Sequence, residues 1–346
     1  MAGLFDLEFH EKKIKEYQPT LAKLDLVIDW EMFRETIEKA LYVKPKGAGG
    51  RPPFDKIMMF KILILQKYYN LSDEQTEFQI NDRTSFKQFL GLKIGDTIPD
   101  EKTIWHFKEQ LANKDLSKSL FEMFAVALMD KGIIAKDGSI VDATFVDVPK
   151  QRNSKEDNAD IKKGAVPLKF GKKDKNGKQS KLCQKDTDAR WMTKSGEKHF
   201  GFKDHINADE KTKLITKYSV TSAAPHDSTE IENIVDETDN RLHADSAYRS
   251  KEIEEHLKAI ECESFVHEKG YRGSPLTEQQ KESNNKKSKI RARVEHISGF
   301  MTNSMNNALY MRSIGIKRIK ESIGLLNLTY NLFRFEQLIR LEKVKI

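Results

Sequence analysis

Ile140-Val141-Asp142-Ala143-Thr144-Phe145-Val146 is the stretch on which the fold of this chain turns. It is β-branched and apolar apart from one carboxylate, which is the pattern of a buried strand. It opens just after Asp137-Gly138, where the texture of the chain changes. Upstream, apolar residues recur at helical spacing: Ile57, Phe60, Ile64 and Leu65, then Ile104, Phe107 and Leu111, then a run from Leu116 to Met129. Ser72 with Gln75 forms a capping-box pattern, and Pro99-Asp100 opens a further helix. The first ~130 residues therefore read as mainly helical.

Downstream, His199–Asn207 and Leu214–Thr221 read as a hairpin turning at Asp209-Glu210-Lys211. Leu242–Asp245 reads as a strand end, Lys251–Ile260 as a helix and Ser264–His267 as a further strand. The last ~55 residues read as helical. There Leu325, Leu328, Leu332, Phe335 and Ile339 form one stripe of an amphipathic helix. The expected architecture is α/β, with a helical domain over residues 1–132 and a mixed domain over 133–346. The second domain would carry a basic loop at 150–190, a short polar insertion at 270–289 and a C-terminal helix.

The 346 residues include 60 Lys+Arg against 53 Asp+Glu, a formal net charge of +7. Between Lys150 and Arg190 there are 13 basic and 6 acidic residues, a local excess equal to the whole imbalance. That stretch lacks apolar periodicity and reads as a loop or mobile arm. A basic balance favours a polyanionic partner. Two cysteines, Cys183 and Cys262, make neither a disulfide framework nor a four-cysteine zinc site, which points to a reducing compartment. The most apolar run, Ile57 to Leu65, contains Lys61 and falls well short of the ~20 residues a spanning helix needs. A soluble intracellular protein is expected.

Three carboxylates stand out by context. Asp142 lies inside an apolar strand, where a charge is costly unless it is paired or metal-bound. Asp245 lies at a strand end before Ser246-Ala247-Tyr248. Glu295 follows the basic run Lys286, Lys287, Lys289, Arg291 and Arg293 on a helix. Two readings are open for them. One is a divalent-cation site, since Mg²⁺ takes a few carboxylate oxygens and keeps water and phosphate for its other positions. The other is an edge or arginine-paired Asp142 and a solvated helix face around Glu295. Likewise Arg190-Trp191 suits either a phosphate contact with base stacking or a core tryptophan. His226-Asp227 after Pro225 reads as a turn or helix cap. Gly171–Lys178 lacks the glycine spacing of a phosphate loop.

Several strings together resemble the DDE transposases of bacterial insertion sequences, in particular the family numbered five. They are Ile140-Val141-Asp142-Ala143-Thr144, Thr187-Asp188-Ala189-Arg190-Trp191 with Gly201-Phe202-Lys203, Ala244-Asp245-Ser246-Ala247-Tyr248-Arg249-Ser250, and Arg291-Ala292-Arg293-Val294-Glu295-His296. Arg51-Pro52-Pro53-Phe54, Ile98–Ile104 and Gly324–Leu332 are similar to other parts of the same family. The likeness covers roughly residues 50–340 in family order. Two positions depart from it: Ser288 where a tyrosine is usual, and Thr302 where a lysine is usual.

The resemblance implies a ribonuclease-H-like mixed sheet flanked by helices and a catalytic triad of Asp142, Asp245 and Glu295. That triad would bind Mg²⁺, with Mn²⁺ as a substitute and two ions as the expected number. Double-stranded DNA is the implied partner, as terminal inverted repeats and as target, met by Arg190, Trp191, Lys203, Tyr248, Arg249, Lys289, Arg291 and Arg293. The helical N-terminal domain would recognise element ends or dimerise, and a homodimer or higher oligomer in the bacterial cytoplasm is expected. The implied reaction is metal-dependent strand cleavage at element ends and transfer of the 3′-hydroxyl to target. A DNA-binding descendant without catalysis and a nuclease without joining are the alternatives.

Overall fold

Side-chain caps set where the N-terminal helices begin. Asp55 accepts from the Met58 N–H, Ser72 and Gln75 close the expected capping box, and Asp100 accepts from the Thr103 N–H. The computed structural model describes residues 6–17, 19–44, 52–135, 137–167, 169–173, 179–194, 196–271 and 273–344. They fall into two units. Arg51 and residues 174–178 lie outside the described residues, and with them parts of two of the strings singled out above.

The first unit comprises residues 1–135, 299–308 and 324–346. Its helices are α1 (Asp6–Glu16), α2 (Thr20–Val27), α3 (Arg34–Ala40), α4 (Lys56–Tyr69), α5 (Asp73–Asp82), α6 (Thr84–Phe89), α7 (Glu101–Asn113) and α8 (Leu116–Asp130). Trp30, Phe33, Phe60, Phe89 and Phe124 form an aromatic cluster at its centre, with Trp30 edge-on to Phe60 and Phe89. Edge-to-face rings add stability beyond the area they bury.

The second unit comprises residues 136–298 and 309–323. Its strands are β1 (Ser139–Asp147), β2 (Gly171–Lys173), β3 (Gln179–Lys181), β4 (Arg190–Lys194), β5 (Glu197–Asp209), β6 (Ile215–Ser222), β7 (Arg241–His243) and β8 (Glu263–Ser264). Its helices are α9 (Lys155–Lys162), α10 (Ile231–Ile234), α11 (Lys251–Ala259), α12 (Glu278–Arg291) and α13 (Glu295–Gly299). The last helix, α14 (Ile316–Arg340), begins in this unit.

The main sheet runs β4-β5-β1-β7-β8, with β6 also on β5. β5 is antiparallel to β1, β4 and β6, whereas β7 is parallel to β1 and β8 to β7. This is a mixed sheet with the expected hairpin in place. β1 is therefore interior to the sheet, which removes the edge reading of Asp142. One face of the sheet builds the core of this unit: Val141, Ile231, Ile234, Leu242, Ala244, Tyr248, Leu257 and Val266 pack together.

The backbone explains two of the singled-out strings. Gly201 sits opposite Asp147 in the β1–β5 ladder, and a Cβ there would lie 2.2 Å from the Val146 carbonyl oxygen. Only glycine allows that approach. Asp186 and Asp188 accept from the Gly315 and Ile316 N–H groups, so the Thr187-Asp188 string caps the start of α14.

Three expectations differ from the structure. The basic stretch is not a bare loop. Ser154 and Asp157 form a capping box that starts α9, β2 pairs with β3, and Gln151 clasps both backbone groups of Asp186. The polar insertion is mostly α12, opened by a Thr277–Gln280 capping box. Finally, α14 is not apolar along one stripe alone: residues from Glu321 to Phe333 are all buried. From Gly324 onward it groups with the first unit rather than with the sheet, and Phe333 stacks on Tyr68 at 3.8 Å.

Candidate active site

The sheet brings its two aspartates to one end of the parallel strands. Asp142 lies mid-way along β1, opposite Ile206 of β5, with its side chain about one-fifth exposed. Asp245 follows β7, the parallel neighbour of β1, and its carboxylate accepts from the Ala247 N–H at 2.7 Å. Burial pushes the Asp142 carboxyl above its usual range. Arg291 opposes that shift, and the Asp245 charge adds to it. The Asp245 charge thus reaches Asp142, and a positive charge is favoured at this spot.

That charge comes from the end of α12. Arg291 Nη2 stands 3.8 Å from Asp142 Oδ1, and Nη1 stands 3.9 Å from Glu295 Oε1. Glu295 is one helical turn beyond Arg291 and its side chain is 67% exposed. One guanidinium therefore spans the strand-borne and helix-borne carboxylates, and the arginine-paired reading of Asp142 holds in this conformation. Tyr248 completes the inner wall. It is fully buried, its hydroxyl lacks a hydrogen-bond partner, and burial together with Asp227, Asp142 and Asp245 pushes its phenol well above the usual range.

The residues expected on DNA divide by environment. Trp191 is 47% exposed and leans on Phe200 with ring centroids 4.9 Å apart, so it is no core tryptophan. Lys289 is exposed on α12. Arg249 pairs with Glu254 and Glu268. Arg293 donates to the Glu210 carbonyl at 2.9 Å, and Arg190 donates to the carbonyls of Thr187, Ala189 and Ile161. These arginines hold backbone together.

Lys203 and Tyr248 correct the expectation most clearly: both are buried. Lys203 Nζ reaches Asp227 Oδ1 and the Pro225 carbonyl, each at 2.7 Å. The reason is that β5 is covered on both faces from Phe200 to Asp209, so alternation gives no outward lysine at that position. His226 accepts from the Ser228 N–H, as a cap. Asp227 nevertheless proves informative as the partner of Lys203. Sequence reading also missed Lys194, an exposed residue at the end of β4 whose charge acts on Asp142. Its signal would have been the β4–β5 hairpin, which pairs Lys194 with Glu197.

Among the described residues, no three His, Cys, Asp or Glu side chains are gathered closely enough to grip one ion together. The donor chemistry still suits a hard divalent cation. All three carboxylates offer oxygen, and Mg²⁺ needs only one or two of them directly. The position of the Arg291 guanidinium marks a place where a cation is favoured.

Two family models match the chain. The one described as Transposase DDE domain covers residues 134–332, and the one described as Transposase domain (DUF772) covers residues 8–110. No solved structure matches it. Among the described residues, no helix is long and apolar enough to cross a membrane.

Proposed function

Because this chain belongs to the DDE transposases of insertion-sequence type, we propose that Asp142, Asp245 and Glu295 are its catalytic carboxylates. In this reading it cleaves DNA strands at the ends of a mobile element and joins each freed 3′-hydroxyl to target DNA. The observation that carries the reading is the convergence on Arg291. One cationic group answers a largely enclosed carboxylate from β1 and a carboxylate from α13, while the Asp245 charge acts on the first. The strand directions, with β6, β1, β7 and β8 all running one way and β5 antiparallel between β6 and β1, support a ribonuclease-H-like core.

Each residue has a task. Asp142 and Asp245 hold a divalent ion, Mg²⁺ or Mn²⁺, from the sheet, and Glu295 approaches it from the helix. When bound, such ions activate the attacking oxygen and stabilise the leaving one in an in-line displacement. The same carboxylates serve hydrolysis and joining, because both reactions displace an oxygen at phosphorus. Lys194, Lys289 and Trp191 lie exposed on the same unit. The lysines meet phosphates, which gives affinity and a salt dependence, and the indole stacks on an unpaired base. Two element ends must be handled together, so the acting form is a homodimer or larger. The helical N-terminal region recognises element ends or mediates that pairing.

The test is a nicking and joining assay on supercoiled DNA carrying element ends. Asp142→Asn, Asp245→Asn and Glu295→Gln are each expected to reduce both steps by more than about a thousand-fold. Glu295→Gln should also leave the thermal midpoint in place, since its side chain is exposed. Nicking that survives in any of the three removes that residue from the site. Nicking without joining in the unaltered protein would make it a nuclease, and neither activity would leave a DNA-binding protein.

A further inference from the structure

The arginines of the second unit are held in two ways. Arg190 donates to three backbone carbonyls, Arg293 to one at 2.9 Å, and Arg241 to the Asp137 carbonyl at 2.9 Å and Glu210 at 3.1 Å. Such planar donors fix their position by short, directed bonds. Arg291 differs. Its contacts with Asp142 and Glu295, at 3.8 and 3.9 Å, are too long to be hydrogen bonds. Its Nε is buried and has no partner. A guanidinium left with an orphaned buried donor is held by charge alone, and keeping it there is costly.

Its place on the backbone, at a helix end, also bears on how it can move. Arg291 is the last residue of α12, just before a tight turn over Ala292–Val294. No residue of α12 is fully buried, and the nearest fully buried residue beyond Arg291 is Val294 in the turn that follows. The Arg291 side chain is 22% exposed, which leaves it an outlet to solvent.

We propose that Arg291 is a stand-in cation. It spans Asp142 and Glu295 while the divalent ion is absent, and it gives up that gap when the ion enters. The displaced guanidinium then faces outward beside the carboxylates, where the phosphate being cut must lie. The exchange keeps the largely enclosed Asp142 charge compensated in both states, so the site does not repel itself. This inference rests on the metal-holding role given above to the carboxylates.

The experiment uses Mn²⁺ alone and needs no DNA. Free Mn²⁺ is followed by electron paramagnetic resonance in titrations of the full chain, the Arg291→Gln and Arg291→Lys variants, and Asp142→Asn. Arg291→Gln removes the competing charge and should bind Mn²⁺ about five-fold tighter or more, a typical coupling between two sites. Arg291→Lys keeps a charge and should stay near the unaltered protein. In chelator, Arg291→Gln should melt lower than the unaltered protein, and added Mn²⁺ should raise its midpoint by more.

Equal or weaker Mn²⁺ binding by Arg291→Gln, with binding intact in the unaltered chain and lost in Asp142→Asn, would overturn the stand-in role alone. Absence of any Mn²⁺ binding that depends on Asp142 would overturn both this role and the metal-holding reading beneath it. Circular dichroism of each variant separates either result from a failure to fold.

Discussion

The sheet side and the helix side of the candidate site are built on opposite principles. On the sheet side, Asp142 is locked in the interior strand β1, Asp245 is fixed by the Ala247 N–H, and the lysine and tyrosine behind them are buried. On the helix side, α12 has no fully buried residue, Glu295 is exposed, and Arg291 lacks a single short bond. Rigidity is concentrated where a charge must be kept in a low-dielectric place. Adjustability is left on the side where, in the proposed role, a large anionic substrate enters. Under the proposed role, such a site pre-orients two of its carboxylates and lets the third arrive with the ligand.

The largest expected effect tests the buried half. Lys203 and Asp227 form an enclosed ion pair at 2.7 Å, with the lysine side chain 4% exposed. Lys203→Met leaves the largely enclosed Asp227 carboxylate uncompensated, which should cost about 3–5 kcal/mol of stability. Urea unfolding followed by circular dichroism measures it. A loss below about 1 kcal/mol would mean that Lys203 is a surface lysine after all, and the division between the two sides would fail.

A second effect comes from the histidine beside that pair. His205 is fully buried and donates to or accepts from the Thr221 hydroxyl at 2.9 Å. Burial lowers its pKa to about 4, against the pull of Asp227 and Glu230. His243 is likewise held at about 4 by burial and by Arg241 and Arg293, although Glu210 lies 3.3 Å away. Both are neutral in the fold. As the pH falls below about 6.5 the unfolded chain takes up protons that the fold refuses. Stability is therefore complete above that value and declines toward about pH 4. Unfolding midpoints should drop steadily between pH 7 and pH 5. His205→Gln keeps a hydrogen-bonding group for Thr221 and should flatten the slope; an unchanged slope would show that His205 does not contribute.

What the sequence made legible was local. The Ser72–Gln75 capping box, the Asp100 cap, the strand around Asp142 and the hairpin at Asp209 all follow from neighbours within a few residues. The three carboxylates were conspicuous because each broke a local pattern. What stayed hidden depends on distant partners. Lys203 and Lys289 are both lysines near the site in sequence reading, yet β5 is sandwiched and α12 is not. The burial of α14 around its whole circumference cannot be read from a helix carrying Glu321, Asn327 and Asn331. Arg291 looked like one of five basic residues on a solvated face, and only the fold places it between two acids.

The smallest effect probes the exposed half and is the sharpest contrast with Lys203. Lys289 is exposed on α12, two residues before Arg291. Lys289→Ala should change stability by no more than about 0.5 kcal/mol. If the residue meets a phosphate, one counterion fewer is released on binding. The slope of log affinity against log salt should then shrink by about one. Fluorescence anisotropy with labelled duplex at several salt concentrations gives that slope directly. A slope that stays the same assigns Lys289 to solvation of the helix and moves the DNA path toward Lys194 and Trp191. A variant that instead lost stability like Lys203→Met would show that the helix side is packed as firmly as the sheet, and the adjustable half of the site would have no physical basis.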